Sequence, residues 1–127
     1  MANTEAINTS KAPQAIGPYS QAIKLDNLAF VSGQIPLDPE TMEIVPGGIN
    51  AQANQVFKNL AAVIEATGAT LADSVKLTIY LTDLAEFPLV NEIMTSYFSQ
   101  PYPARATIKV SALPKGALIE VDAIVAL

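Results

Sequence analysis

The sequence contains no cysteine, no histidine and no tryptophan, and a single arginine among its 127 residues. Without cysteine there is no disulfide framework, no thiol nucleophile and no thiolate metal site. Without histidine, Ser-His and Cys-His catalysis fall away together with the usual zinc sites, so no metal or cofactor is expected. Charge is scarce too: 15% of residues are Asp, Glu, Lys or Arg, against about 25% in typical soluble domains. The cations are scattered from Lys11 to Lys115 and the net charge is −5, which argues against nucleic acid or an anionic membrane as a partner. No apolar run approaches membrane-spanning length. The segment Met1–Glu5 lacks the basic and apolar regions of a secretion signal, so the expectation is a soluble cytoplasmic protein.

What is present suits one domain, residues 1–127, half apolar and long enough for a core. So few charges on so small a domain point to surface covered by further copies of the chain. Asn3–Ile16 is polar and irregular, followed by Gly17-Pro18, and reads as an arm laid over the surface. Ser20–Leu25 and Leu28–Ile35 read as strands joined at Asp26-Asn27, residue types that tolerate a tight turn. Gly33 interrupts the second, as at a bulge or a close backbone approach. Pro36–Gly48 reads as loop.

From Ile49 the period changes. Ile49, Ala53, Val56, Phe57, Leu60, Val63 and Ile64 recur at helical steps, Gln52, Lys58, Asn59 and Glu65 fall outside that stripe, and Gly68 closes the helix. Ser74–Thr82 alternates strictly as a strand. Glu86–Phe98 predicts a second helix with Pro88 in its first turn and a stripe from Phe87 to Phe98. Arg105–Val110 and Ala117–Val125 alternate again around Pro114 and Gly116, predicting a hairpin. The order ββαβαββ describes a two-layer α+β domain, its mostly antiparallel sheet carrying two helices on one face. The other face mixes polar and apolar positions and suits burial against like sheets in a homo-oligomer.

The expected hairpin carries the leading candidate site. Arg105 and Thr107 share one side of their strand; Leu118, Glu120, Asp122 and Ile124 share a face of theirs. The pairing would set a guanidinium and a carboxylate at the same end and on the same face of the sheet. A fixed fork of donors beside an acid suits a small carboxylate-bearing substrate and a delivered water. An ordinary cross-strand ion pair is the plainer account. Tyr19 either walls a pocket or packs at a loop junction. Phe87 and Asn91, one helical turn apart, either face a cleft or serve as core ring and loop-tying amide. Thr107 offers a hydroxyl and a backbone amide, or simply satisfies strand propensity. Gly47-Gly48 is too little for a phosphate loop, and the acids are too dispersed for a calcium loop.

Matched blocks run along nearly the whole chain: Ala15-Ile16-Gly17-Pro18-Tyr19-Ser20-Gln21-Ala22, Ser32-Gly33-Gln34-Ile35-Pro36, Asn59-Leu60 with Ala66-Thr67-Gly68-Ala69, Val90-Asn91, and Pro103-Ala104-Arg105 with Leu113-Pro114-Lys115-Gly116-Ala117 and Ile119-Glu120. In these the sequence resembles the reactive intermediate/imine deaminase A family, also called the YjgF or L-PSP family. The resemblance implies a chorismate-mutase-like fold assembled as a homotrimer, with clefts between neighbouring subunits. It implies hydrolysis of 2-iminobutanoate and 2-iminopropanoate, released by pyridoxal-phosphate enzymes, to 2-oxo acids and ammonia. Arg105 matches the family's carboxylate ligand and Glu120 the acid that handles water. Gly33 would offer backbone to the ligand, and Tyr19, Phe87, Asn91 and Thr107 would shape the cleft. Many members carry cysteine where this chain has Thr107; a non-covalent hydrolysis needs no thiol, but rate and preference would respond. Two other functions use the same residues: a non-catalytic trimer sensing a small carboxylic acid through Arg105, and a ribonuclease, which the acidic charge and missing histidines disfavour.

Overall fold

The alternating segments become one six-stranded sheet in the structure, a computed structural model that describes residues 3–127. The strands are β1 (Thr4–Ile7), β2 (Ala22–Leu25), β3 (Leu28–Gln34), β4 (Ser74–Leu81), β5 (Ala104–Lys109) and β6 (Ile119–Ala126). They lie in the order β1-β2-β3-β6-β4-β5, antiparallel except for the parallel β4–β5 pair. Helices α1 (Gly48–Ala66) and α2 (Phe87–Met94) cover one face. The α+β, mostly antiparallel architecture expected from the periodicities is present.

Three details depart from expectation. The arm begins with a strand: Thr4–Ile7 pairs with β2, Thr4 opposite Leu25 and Ile7 opposite Ala22. Four residues at an edge need only one partner, and too short a run hides its alternation. Second, β5 and β6 form no hairpin, because β4 lies between them. The link from Val110 to Leu118 is long enough to step past one strand, about 4.8 Å wide per strand. Third, α2 ends at Met94 rather than Phe98. The Thr95 hydroxyl donates to the Glu92 carbonyl at 2.6 Å, and such local bonds compete with helical continuation.

The core lies between the helices and the sheet. From α1 come Ala53, Val56, Phe57, Leu60, Val63 and Ile64; from the strands, Leu77, Ile79, Leu81, Ile119, Val121 and Val125, all buried. Each large side chain there contributes roughly 1.5–3 kcal/mol of burial. Val75 falls in the same alternating set as Leu77 and Ile79 in sequence but is exposed, because a register shift between Ser74 and Lys76 turns it outward. Gly68 caps α1 as predicted: it takes φ +95°, and its N–H donates to the Glu65 carbonyl at 3.0 Å.

Among the described residues no helix lies on the other face of the sheet. Ile23 pairs with Phe30 and Phe30 with Ile124 across β2, β3 and β6. Further along that face, Tyr80 stands between Glu120 and Ile108. Phe30 and Ile108 are 41% and 45% exposed. No helix among the described residues is long and apolar enough to cross a membrane.

Candidate active site

The two leading residues stand on opposite faces of the sheet, which corrects the expected same-face pair. In the parallel ladder Arg105 registers with Leu77 and Thr107 with Ile79, so their side chains follow Leu77 and Ile79 toward the helices. In the antiparallel ladder Glu120 registers with Tyr80 and points the other way. Inserting β4 between β5 and β6 places the two on separate walls.

Arg105 is held by α2. Phe87, Asn91 and Met94, at helical steps of four and three, turn one stripe toward β5. The guanidinium carbon sits 4.9 Å from the centroid of the Phe87 ring. One terminal nitrogen donates to Asn91 Oδ1 and lies 3.7 Å from Met94 Sδ. The remaining guanidinium donors have no protein partner among the described residues and stay available to a planar anion. They open on a cleft of about 410 Å³ shared with Thr95, Tyr102 and Pro103. Next along the same side, the Thr107 hydroxyl oxygen is buried without a hydrogen-bond partner. Phe87 and Asn91 thus stand beside Arg105, and Met94 of the same helix stands with them.

Glu120 is placed by a bulge. The β3–β6 register shifts between Val31 and Gln34, bringing the Gly33 backbone under the carboxylate. A Cβ built on Gly33 would stand 2.8 Å from Glu120 Cδ, so the glycine expected to mark a close approach does so. Half-buried, the Glu120 carboxyl is pushed above the ordinary glutamate range, by desolvation first and by the neighbouring Asp122 charge second. Asp122 accepts a 2.9 Å hydrogen bond from the Tyr80 hydroxyl. That hydroxyl titrates above the usual tyrosine value, chiefly through burial and then through Asp122. Glu120 opens on a cleft of about 540 Å³ whose walls include Ile16, Tyr19, Ile35, Leu37 and Lys115. Tyr19 therefore walls this cleft, and its hydroxyl accepts a bond from the Ile16 N–H at 3.2 Å.

Buried amides fasten the walls of this second cleft. Gln21 accepts from the Thr9 N–H at 2.7 Å and donates to the Thr9 and Pro13 carbonyls at 3.0 and 2.7 Å, which pins the arm. Asn59 donates to the carbonyls of Ile35 and Leu37 at 3.2 and 2.9 Å. Gln52 accepts from the Leu118 N–H at 2.8 Å, one residue before β6. Gln52 and Asn59 fall outside the apolar stripe in sequence but are buried in the fold. Their spacing alone does not separate them from solvated amides.

The candidates therefore sort into two half-sites: Arg105, Thr107, Phe87 and Asn91 on one wall, Glu120, Gly33 and Tyr19 on another. No described residue lines both clefts. One half can clamp an anion, and the other can hold a water beside a readily protonated carboxylate.

The family model described as endoribonuclease L-PSP matches residues 9–127. A RutC family protein of Pyrococcus abyssi is 54% identical over 120 residues, with 94% of each chain covered. The 2-iminobutanoate/2-iminopropanoate deaminase of Rattus norvegicus is 48% identical over 120 residues, covering 94% of this chain and 88% of its own. The crystal structure of RidA from an Antarctic Psychrobacter superposes with a TM-score of 0.94 at 49% identity, covering 97% and 99% of the two chains.

Proposed function

The chain belongs to the endoribonuclease L-PSP family, the family of the RidA imine deaminases, and on that premise we propose that it hydrolyses 2-imino acids to 2-oxo acids and ammonia. 2-Iminobutanoate and 2-iminopropanoate, released by pyridoxal-phosphate enzymes, are the substrates assigned here. The observation that carries the reading is the complementarity of two half-sites that one chain keeps apart. A homotrimer in which the Arg105 wall of one subunit faces the Glu120 wall of its neighbour makes each cleft whole. The sheet face away from the helices, with Phe30 and Ile108 exposed and Ile23 and Ile124 partly so, gives such an assembly apolar surface to bury.

In that cleft the free edge of Arg105 takes the substrate carboxylate as a bidentate partner, while Phe87 and Asn91 hold the guanidinium in place. The Thr107 hydroxyl supplies a further donor. A protonated imine is already electrophilic at C2. Glu120 accepts a proton from water as the oxygen bonds to C2 and the C=N pair moves to nitrogen. It then returns that proton to the amino group. Ammonia leaves with the C–N electrons, the carbinol proton passes to the Glu120 carboxylate as C=O forms, and ammonia then takes up that proton, so the products are a 2-oxo acid and ammonium. A carboxyl with a raised affinity for protons suits both transfers.

The test is a coupled assay in which an amino-acid oxidase or dehydratase generates the imine in the presence of semicarbazide. Wild type should divert imine from semicarbazone to 2-oxo acid. Arg105→Ala should lower kcat/KM by roughly a hundredfold, as expected for losing a charge-assisted carboxylate clamp of about 3 kcal/mol. A wild type that leaves semicarbazone formation unchanged across several imines removes the activity. The nuclease named in the family description needs phosphate-binding cations, which a net charge of −5 and one arginine do not favour.

A further inference from the structure

The Glu120 cleft contains a cation that the reaction above does not use. Lys115 sits in a single 3₁₀ turn, Pro114–Gly116, between β5 and β6, and lines the cleft with Glu120. Its backbone is left-handed, φ 57° and ψ 22°, a conformation that strains a residue bearing a Cβ and leaves a glycine almost unstrained. Asp26 and Met42 are the other non-glycine residues with positive φ among those described, and neither lines this cleft. Gly116, next along, is left-handed too, so the turn holds a lysine where a second glycine would relieve the backbone.

The ammonium has no carboxylate partner. The one ion pair among the described residues joins Lys24 to Glu5. The upward push on Glu120 comes from burial first and the Asp122 charge second, and among the described residues no ion pair joins it to Lys115. The ionisable groups on the cleft wall are Lys115, Glu120 and Tyr19. An anionic substrate approaching a protein of net charge −5, toward a wall bearing Glu120, meets repulsion from both. One exposed cation at the cleft wall offsets this locally.

We propose that Lys115 is a substrate-recruiting residue, its ammonium drawing the carboxylate of the 2-imino acid into the Glu120 cleft before Arg105 fixes it. The inference rests on the anionic substrate assigned to this site. Lys115 acts on capture rather than on the proton transfers, so its loss falls on KM. Lys115→Met should raise KM by about three- to tenfold and flatten the fall of kcat/KM with added salt, while Lys115→Arg keeps both near wild type. Lys115→Gly separates charge from backbone: it relieves the left-handed strain, so its Tm should hold or rise while its KM follows Lys115→Met.

Calorimetric binding of 2-oxobutanoate to wild type and the same variants gives a readout independent of turnover. Affinity should fall by the same factor in Lys115→Met and Lys115→Gly. An unchanged KM, salt slope and 2-oxobutanoate affinity in both variants overturns the inference while leaving the deaminase reading intact. So does a Lys115→Gly that behaves as wild type, which would assign the effect to the turn. A wild type without imine turnover, yet with Lys115-dependent 2-oxobutanoate binding, overturns the deaminase reading and keeps the recruiting role.

Discussion

Gly33 has no side chain because Glu120 occupies the space. Its φ is not in the left-handed region, so the demand is for room rather than for backbone freedom. Gly33→Ala should therefore fold, shifting Tm by less than about 4 °C, since the obstructing atoms are the movable end of a side chain. The displaced carboxylate should lower kcat by tenfold or more, in keeping with the steep dependence of proton transfer on placement. Glu120 makes a second prediction, on stability. Its folded carboxyl holds a proton more tightly than the unfolded chain does. That contribution is complete below the ordinary glutamate range and is lost as pH rises through the raised value. Glu120→Gln, which cannot ionise, should match wild type in Tm near pH 4 and exceed it near pH 7 to about pH 8. A wild type as stable as Glu120→Gln across that range would show that the burial penalty is not expressed. At this scale Arg105, Glu120, Gly33, Phe87 and Asn91 could be named as candidates from residue type, alternation and the family resemblance. Met94, Gln52 and Asn59 could not, since a thioether on an apolar stripe and an amide beside one look the same whether or not they meet a site.

Elements were legible where their period was long. The 19 residues of α1 and the eight of β4 declare themselves by repetition. β1, with four residues, does not. The missing hairpin has a different cause: alternation fixes which side chains share a strand face but carries nothing about which strand lies alongside. A Pro-Gly turn between two strands is compatible with direct pairing and with a step across a third. The placement of α1 against the cleft has a measurable consequence through Asn59, whose amide spans the Ile35 and Leu37 carbonyls. Asn59→Ala leaves both buried without that partner and should cost about 1–3 kcal/mol, read as a lower urea midpoint with an unchanged m-value. Asn59→Asp, which keeps an acceptor and loses both donors, should be no better. A midpoint within error of wild type for both would mean the loop holds without this amide.

At the scale of the molecule, one chain offers two incomplete walls, and the proposed assembly makes each cleft from two copies. Arg105→Ala and Glu120→Gln should each be nearly inactive alone. Unfolded together in equal amounts and refolded as mixed trimers, they should recover activity, because a Glu120→Gln chain still offers its arginine and an Arg105→Ala chain its carboxylate. Random assortment at a two-chain cleft restores about a quarter of the clefts. A mixture no more active than its parts, while exchange is confirmed by mass, would place both residues' work within a single chain. The low charge density hinted at covered surface; the number of copies and which walls meet were beyond what composition contains.

The opposite-face placement of Arg105 and Glu120 also bears on inheritance. The two positions are written in one gene and selected together, yet in the folded chain they lie on opposite faces of the sheet with β4 between their strands. If a change at one is compensated at the other, the paired variation will look like proximity within the chain. A reconstruction that took such covariation as an intrachain restraint would drag β5 across the sheet toward β6, drawing the hairpin that the molecule does not have.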